Sequence, residues 1–250
     1  IDNIYSVTND IHYICYNRYM KVNIKKFRFH LYKDNSYFLS IMSYYWDPRF
    51  VRHLTGDIKT VIEVGARYGD ESIELSNCFP DAHIYSYECN PPTVEICKKN
   101  LMNQKRISFY DYGLGEFDEN KEFYSYILNN DGASSFFKRD DANDTQRYTG
   151  TIEIKKFSNV LNALNIEMVD LLCMDIQGFE LNVLKGAGEH LKNIRYVIME
   201  EPKPGLNSKY INAPLSSEIK SYMTDNGFIE IERIQENLLE DNVMYKRVLD

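Results

Sequence analysis

The chain has 250 residues, 44% hydrophobic and 26% charged, the balance of a globular protein large enough for a full apolar core. Its net charge of −8 and pI near 5.3 argue against non-specific binding to nucleic acid or to an anionic membrane. Without a run of 18 apolar residues, no membrane span is expected.

Residues 1–57 carry strand-like "HYICYNRYM" and "FRFHLYK" and then a helical stretch toward Trp46-Asp47-Pro48. They are expected to form an N-terminal extension packed on a main domain over 58–250. The sequence begins at Ile1 rather than Met, which leaves room for a longer polypeptide upstream. From residue 60 strands and helices alternate. "TVIEVG" (60–65) reads as a strand and "DESIELSNCF" (70–79) as a helix. "HIYSYEC" (83–89) is a strand, and "PPTVEICKKNLMN" (91–103) is a helix opened by proline. "ISFYDYG" (107–113) and "VDLLCMD" (169–175) are strands, and "LNVLKGAGEHL" (181–191) is a helix. "RYVIMEE" (195–201) is a strand, followed by the helix "SSEIKSYMTDNG" (216–227), with Ser216 or Ser217 as cap and Gly227 at its end. "FIEIERI" (228–234) and "VMYKRVL" (243–249) close the chain. Their link is too short for a crossover helix, so they should pair as a hairpin. This order predicts an α/β fold: a doubly wound, mostly parallel sheet covered on both faces, with an antiparallel strand near the C-terminus. An inserted segment at about 114–158 interrupts the repeat. Its polar stretch, "NNDGASSFFKRDDANDTQRYTG", is long for a connection.

Five cysteines (Cys15, Cys78, Cys89, Cys97, Cys173) make neither a C-x-x-C pair nor a zinc spacing, which suits free thiols in a reducing, cytoplasmic setting.

Ligands of parallel α/β sheets bind outside the carboxyl ends of the strands. There this chain offers Glu63, Gly65 and Gly69, then Glu88, then Asp111 and Gly113, then Asp175, Gln177 and Gly178, then Glu200 and Glu201. In "VIEVGARYGD" the glycines allow a sharp turn and a close backbone approach. Arg67 stands where a dinucleotide fingerprint has its second glycine, and an acid two residues before the first glycine would repel a pyrophosphate. That acid suits a ligand bearing a sulfonium and an ammonium, as S-adenosylmethionine does; a plain strand–helix turn is the other reading. Glu88, 23 residues after Gly65, could accept hydrogen bonds from ribose hydroxyls, and Asp111 or the Tyr112–Gly113 backbone would lie near the adenine. Asp175 would then sit beside the reactive methyl, as a base or as a holder of the acceptor hydroxyl. A hard-oxygen metal site from Asp175, Glu200 and Glu201 is the less favoured alternative.

"VIEVGARYGDESIELSNCFPDAHIYSYECNP" together with "VDLLCMDIQGFELNVLKGA" resembles the FkbM family of S-adenosylmethionine-dependent methyltransferases over about residues 46–249. The resemblance implies the class I methyltransferase fold, a seven-stranded sheet ending in an antiparallel strand, and methyl transfer to a hydroxyl oxygen, most often of a sugar or glycan. A non-sugar natural product, or a silent cofactor-binding domain, is the alternative. It places the family's cofactor role on Glu63, Gly65, Ala66 and Gly69, its ribose acid on Glu88 and its fourth-strand acid on Asp175, with Gln177, Gly178 and Glu180 in the turn that follows. Read with their neighbours Arg67, Tyr68, Cys89, Asp111, Tyr112 and Gly113, these are the expected cofactor-site residues, and Asp175 is the expected catalytic one. Gln177, Glu200, Ser135 and Trp46 are acceptor-side candidates. The chain departs from the family in having Arg67 for Asn, Cys173 for Lys, and "FSNVL" where many members have "LDD". The Arg67 side chain is expected to leave the turn toward the acceptor or the cofactor carboxylate.

Overall fold

The computed structural model describes residues 47–126, 131–139 and 146–248; the strands read in residues 1–46, and Trp46, lie outside the described residues. In chain order the elements are α1 (Pro48–Val51), β1 (Thr60–Val64), α2 (Asp70–Cys78), β2 (His83–Tyr87), α3 (Pro91–Leu101) and β3 (Ile107–Tyr110). Next come β4 (Gly113–Gly115), β5 (Glu119–Tyr126), β6 (Gln146–Lys156), α4 (Phe157–Ala163) and β7 (Val169–Met174). The chain finishes with α5 (Glu180–Ala187), β8 (Ile194–Pro202), α6 (Ser216–Asp225), β9 (Phe228–Gln235) and β10 (Glu240–Arg247).

Seven strands form one sheet in the order β3-β2-β1-β7-β8-β10-β9. Only β10 runs against its neighbours, pairing antiparallel with both β8 and β9. The expected C-terminal hairpin is therefore present, and it slots β10 between β8 and β9. β7 is buried along its whole length, as a central strand covered on both faces must be. Side chains alternate across the sheet. Ile62, Val64, Leu172, Met174 and Val197 pack in one core with α4, α5 and α6 residues, while Val61, Ile84, Leu171, Cys173 and Ile198 pack in the other with α2 and α3 residues.

The one acid inside β7 ties the amino ends of three strands. Asp170 accepts the Lys59 and Thr60 amides at 2.8 and 3.0 Å and pairs with Arg195 at 2.6 Å. Asp170→Ala strands two amides and takes the carboxylate from Arg195, which keeps the Thr55 and Asp57 carbonyls, and should cost about 2–4 kcal/mol in urea unfolding. A loss under about 1 kcal/mol would show that water replaces the carboxylate.

Three local readings change. The strand expected over 107–113 breaks at Asp111: β3 stays in the main sheet, and β4 leaves it to pair with β6 in a separate β4-β6-β5 sheet. The helix α4 was not anticipated; its seven residues show only Phe157, Val160 and Leu161 on the buried side, too short a stripe for periodicity to register. Neither Ser216 nor Ser217 caps α6. Leu215 is the cap residue, its amide bonded to Glu218 at 2.8 Å, and the Ser216 hydroxyl donates instead to buried Glu201.

Candidate functional site

A cleft of about 420 Å³ opens along the carboxyl edge of β1, β2, β7 and β8, within the size range of small-molecule sites. Its floor is the β1–α2 turn. The amides of Gly65 and Ala66 both donate to the Tyr87 carbonyl at 2.9 Å. Gly65 has φ +93°, and a Cβ on it would lie 2.2 Å from the Asp175 carbonyl oxygen. Only glycine lets the exits of β1 and β7 meet this closely.

Glu88 lies at the end of β2 with both oxygens fixed by backbone. The Arg67 amide donates to one at 2.6 Å and the Asn90 amide to the other at 2.7 Å. Each oxygen keeps a lone pair, so a vicinal diol could still donate to this carboxylate. Burial pushes Glu88 up to about 7, against the pull of those amides. Tyr112 and Gly113 form the wall on the β3 side and Cys89 lines the cleft beside Glu88.

Arg67 adopts the left-handed region, φ 47°, and its side chain leaves the turn as expected. There it is held by a protein carboxylate, Asp131, with contacts of 2.6 and 2.9 Å. The Tyr68 hydroxyl donates to the other Asp131 oxygen. This grip straps the short turn Asp131–Ala133 over the cleft. The Ser134 hydroxyl continues the strap, taking the Asn90 side-chain amide at 3.3 Å and the Tyr126 backbone amide at 3.0 Å.

At the other end stand Asp175, Gln177 and Glu200. Gln177 is also left-handed, φ 56°, a conformation glutamine adopts only where its surroundings hold it. Its side-chain nitrogen donates to Asp175 Oδ1 at 2.5 Å and to Glu200 Oε2 at 2.8 Å, and its oxygen accepts the Tyr210 hydroxyl at 2.5 Å. Burial raises both carboxyls, and each is raised further by carboxylates nearby, Glu240 among them. Lys209 is tied to Glu240 at 2.6 Å, and the Asn237 amide reaches the same Glu240 oxygen at 2.9 Å.

Several sequence-based assignments move. Glu63 does not line the cleft: it is fully buried behind the β1 exit, accepting hydrogen bonds from Ser72 and Ser86, and burial pushes it up to about 7. It shares the Val61 face of β1 and so points at α2 rather than at a ligand. Gly69 caps α2 and packs on α3, where a Cβ would fall 2.8 Å from Leu101 Cγ. Asp111 is exposed and lies off the cleft. Ser135 is buried outside it, holding the Gln177 carbonyl at 2.8 Å. Gly65, Ala66, Arg67, Tyr68, Glu88, Cys89, Tyr112, Gly113, Asp175, Gln177 and Glu200 do share the cleft wall.

The sequence reading missed Glu71, Asn90, Asp131, Lys209, Asn237 and Glu240. Asn90 was within reach, being two residues past Glu88. Asn237 and Glu240 were hidden by a rule about carboxyl ends: antiparallel β10 brings its amino end to the same edge, Glu240 lying opposite Pro202. Asp131 and Lys209 sit in irregular connections that carry no periodic signal.

Seven Asp and Glu side chains line the cleft against Arg67, Arg139 and Lys209. That balance, with the open floor at Gly65 and the fixed carboxylate of Glu88, fits a cationic ligand carrying a diol, as S-adenosylmethionine is. Among the described residues no group of three or more His, Cys, Asp and Glu side chains is placed to hold a metal ion. No described helix is long and apolar enough to cross a membrane.

Residues 63–230 match the family described as Methyltransferase FkbM domain. The chain is similar, at 21% identity over 56% of its length and 62% of the relative, to 2-O-methyltransferase NoeI of Sinorhizobium fredii. It is 25% identical to methyltransferase sdnD of Sordaria araneosa, over 67% of this chain and 73% of that one. The chain thus spans less than two thirds of the first of these relatives. Among solved structures it is similar to Aeropyrum pernix fibrillarin with bound S-adenosyl-L-methionine, at 13% identity, covering 76% of this chain and 66% of that chain with a TM-score of 0.47. The strand order and chain directions given above carry the fold without it.

Proposed function

The chain belongs to the FkbM methyltransferase domain family, and from that premise we propose that it transfers a methyl group from S-adenosylmethionine to a hydroxyl oxygen of a sugar or glycan. The observation that carries this reading is the acidic cleft, with backbone-fixed Glu88 at one end and the Gln177-bridged acids at the other. When bound, S-adenosylmethionine supplies an electrophilic methyl carbon. Glu88 would accept the ribose hydroxyls, and the Gly65–Ala66 turn would let the cofactor lie against backbone. The Asp131 turn, held by Arg67 and Tyr68, would keep water from that end.

Asp175 would orient the acceptor hydroxyl for in-line attack and take its proton, a task suited to a carboxyl that burial holds above its ordinary range. The hydroxyl acceptor is supported by the relative named as a 2-O-methyltransferase and by a wall of carboxylates and amides suited to hydroxyl donors.

The test is thermal unfolding with ligand. S-adenosylhomocysteine at 100 times its Kd should add about 2.7 kcal/mol, some 5–10 °C in Tm, while NAD adds nothing. No shift with saturating S-adenosylhomocysteine would overturn the reading. A panel of sugars with methyl-labelled cofactor then tests the acceptor class.

A further inference from the structure

Asp175 and Glu200 come from the ends of neighbouring parallel strands, and one amide group spans them. The Gln177 nitrogen has two hydrogens, and each goes to a different carboxyl. The bridge is held on every side: its oxygen by the Tyr210 hydroxyl, its backbone by the Ser135 hydroxyl at 2.8 Å, and its own φ in the left-handed region. Among the described residues, no hydrogen bond reaches Asp175 Oδ2 or Glu200 Oε1, although both side chains line the cleft. These two oxygens are where a proton could reside, since the other two accept from the amide.

We propose that Asp175 and Glu200, bridged by Gln177, act as one proton-holding pair: ionised while the cofactor is cationic, and keeping the acceptor's proton once the positive charge at sulfur is gone. The inference rests on the methyltransferase reading and adds Glu200 as proton store and Gln177 as positioning residue. In the transfer the acceptor oxygen bonds to the methyl carbon, the carbon–sulfur electron pair stays on sulfur, and the hydroxyl proton passes to the pair. Net charge in the cleft is then conserved, so no uncompensated carboxylate is left buried beside a neutral product.

The charged surroundings favour this balance. Glu240 and Glu180 face the pair with like charge, Glu71 adds to the field at Asp175, and Arg67 and Lys209 oppose them. Arg67 is already engaged by Asp131 and Lys209 by Glu240. The cations are therefore partly spent, and two ionised carboxyls side by side need a positive ligand. Burial holds both carboxyls above their ordinary range, helped by the like charge of Glu240 at both and of Asp175 at Glu200.

Titration calorimetry of the full chain at pH 7, in buffers of different ionisation enthalpy, counts the protons exchanged on binding. S-adenosylmethionine should release at least about half a proton more than S-adenosylhomocysteine, because only the former brings a sulfonium. Glu200→Gln should erase that difference while still binding both ligands. Asp175→Asn, a second variant of unchanged shape, should do the same. Gln177→Leu should keep a difference but move its pH midpoint by more than about half a unit, which loss of packing alone would not do. Equal proton counts in the wild type would overturn the pair, as would an unchanged difference in Glu200→Gln. Failure of either ligand to bind would instead overturn the cofactor reading, and the pair with it.

Discussion

Gly65→Ala is expected to cost at least about 3 kcal/mol of stability and to abolish stabilisation by S-adenosylhomocysteine. Two penalties coincide at this position. The backbone sits at φ +93°, where an L side chain is strained. The added Cβ would also lie 2.2 Å from a backbone oxygen, that of Asp175, so the obstacle cannot rotate away as a side chain would. Relief requires the exits of β1 and β7 to separate, and those exits hold the turn above Glu88 and the start of the Asp175–Gln177 bridge. Gly188→Ala is the control: it too has positive φ, 53°, but nothing lies within 4 Å of its Cβ. It should cost about 1–3 kcal/mol, from backbone strain alone, and leave ligand stabilisation intact. Urea unfolding with and without S-adenosylhomocysteine separates the two. If Gly65→Ala lands within about 1 kcal/mol of the control, the close approach does not matter.

Ligand-free stability should fall as pH rises from 5 to 8, by on the order of 8 kcal/mol. Burial pushes Glu63 and Glu88 up to about 7 and Glu180 up to about 8. In the unfolded chain the same carboxyls titrate near 4. Between those values the folded state holds protons that the unfolded state has released. Stability from these groups is thus full below the unfolded value and lost as pH climbs through the folded one. Asp47, Asp131, Glu230 and Glu232 run the other way: arginine, lysine, tyrosine and histidine partners hold them low, and their contribution is lost only on acidification below about 4. The maximum should therefore lie near pH 5. Glu180, at the first turn of α5, accepts the Ile176 amide at 3.1 Å and carries the top of the window. Glu180→Gln should flatten the slope between about pH 7 and 8 whatever it does to absolute stability. An unchanged slope there would assign the titration to another group.

The strands and their order along the chain were readable because periodicity and turn residues are local. So was the edge along which the cleft opens, because parallel strands present their carboxyl ends together. What failed was the direction of individual side chains. Glu63 and Glu88 look alike as acids ending apolar runs. Yet Glu63 lies within β1 and must point to a sheet face, toward Ser72 and Ser86, whereas Glu88 lies one residue past β2, where backbone rather than sheet turns it into the cleft.

The sequence alone determined an alternating α/β chain, a glycine-bearing turn after the first main strand, and acids gathered at one edge, since each depends on residue type and near neighbours. Only the tertiary structure decided that Arg67 spends its charge on Asp131, that β10 delivers Glu240 from the opposite chain direction, and that Gln177 joins Asp175 to Glu200. Those contacts depend on sheet order and on backbone angles at left-handed positions, and no local pattern encodes either.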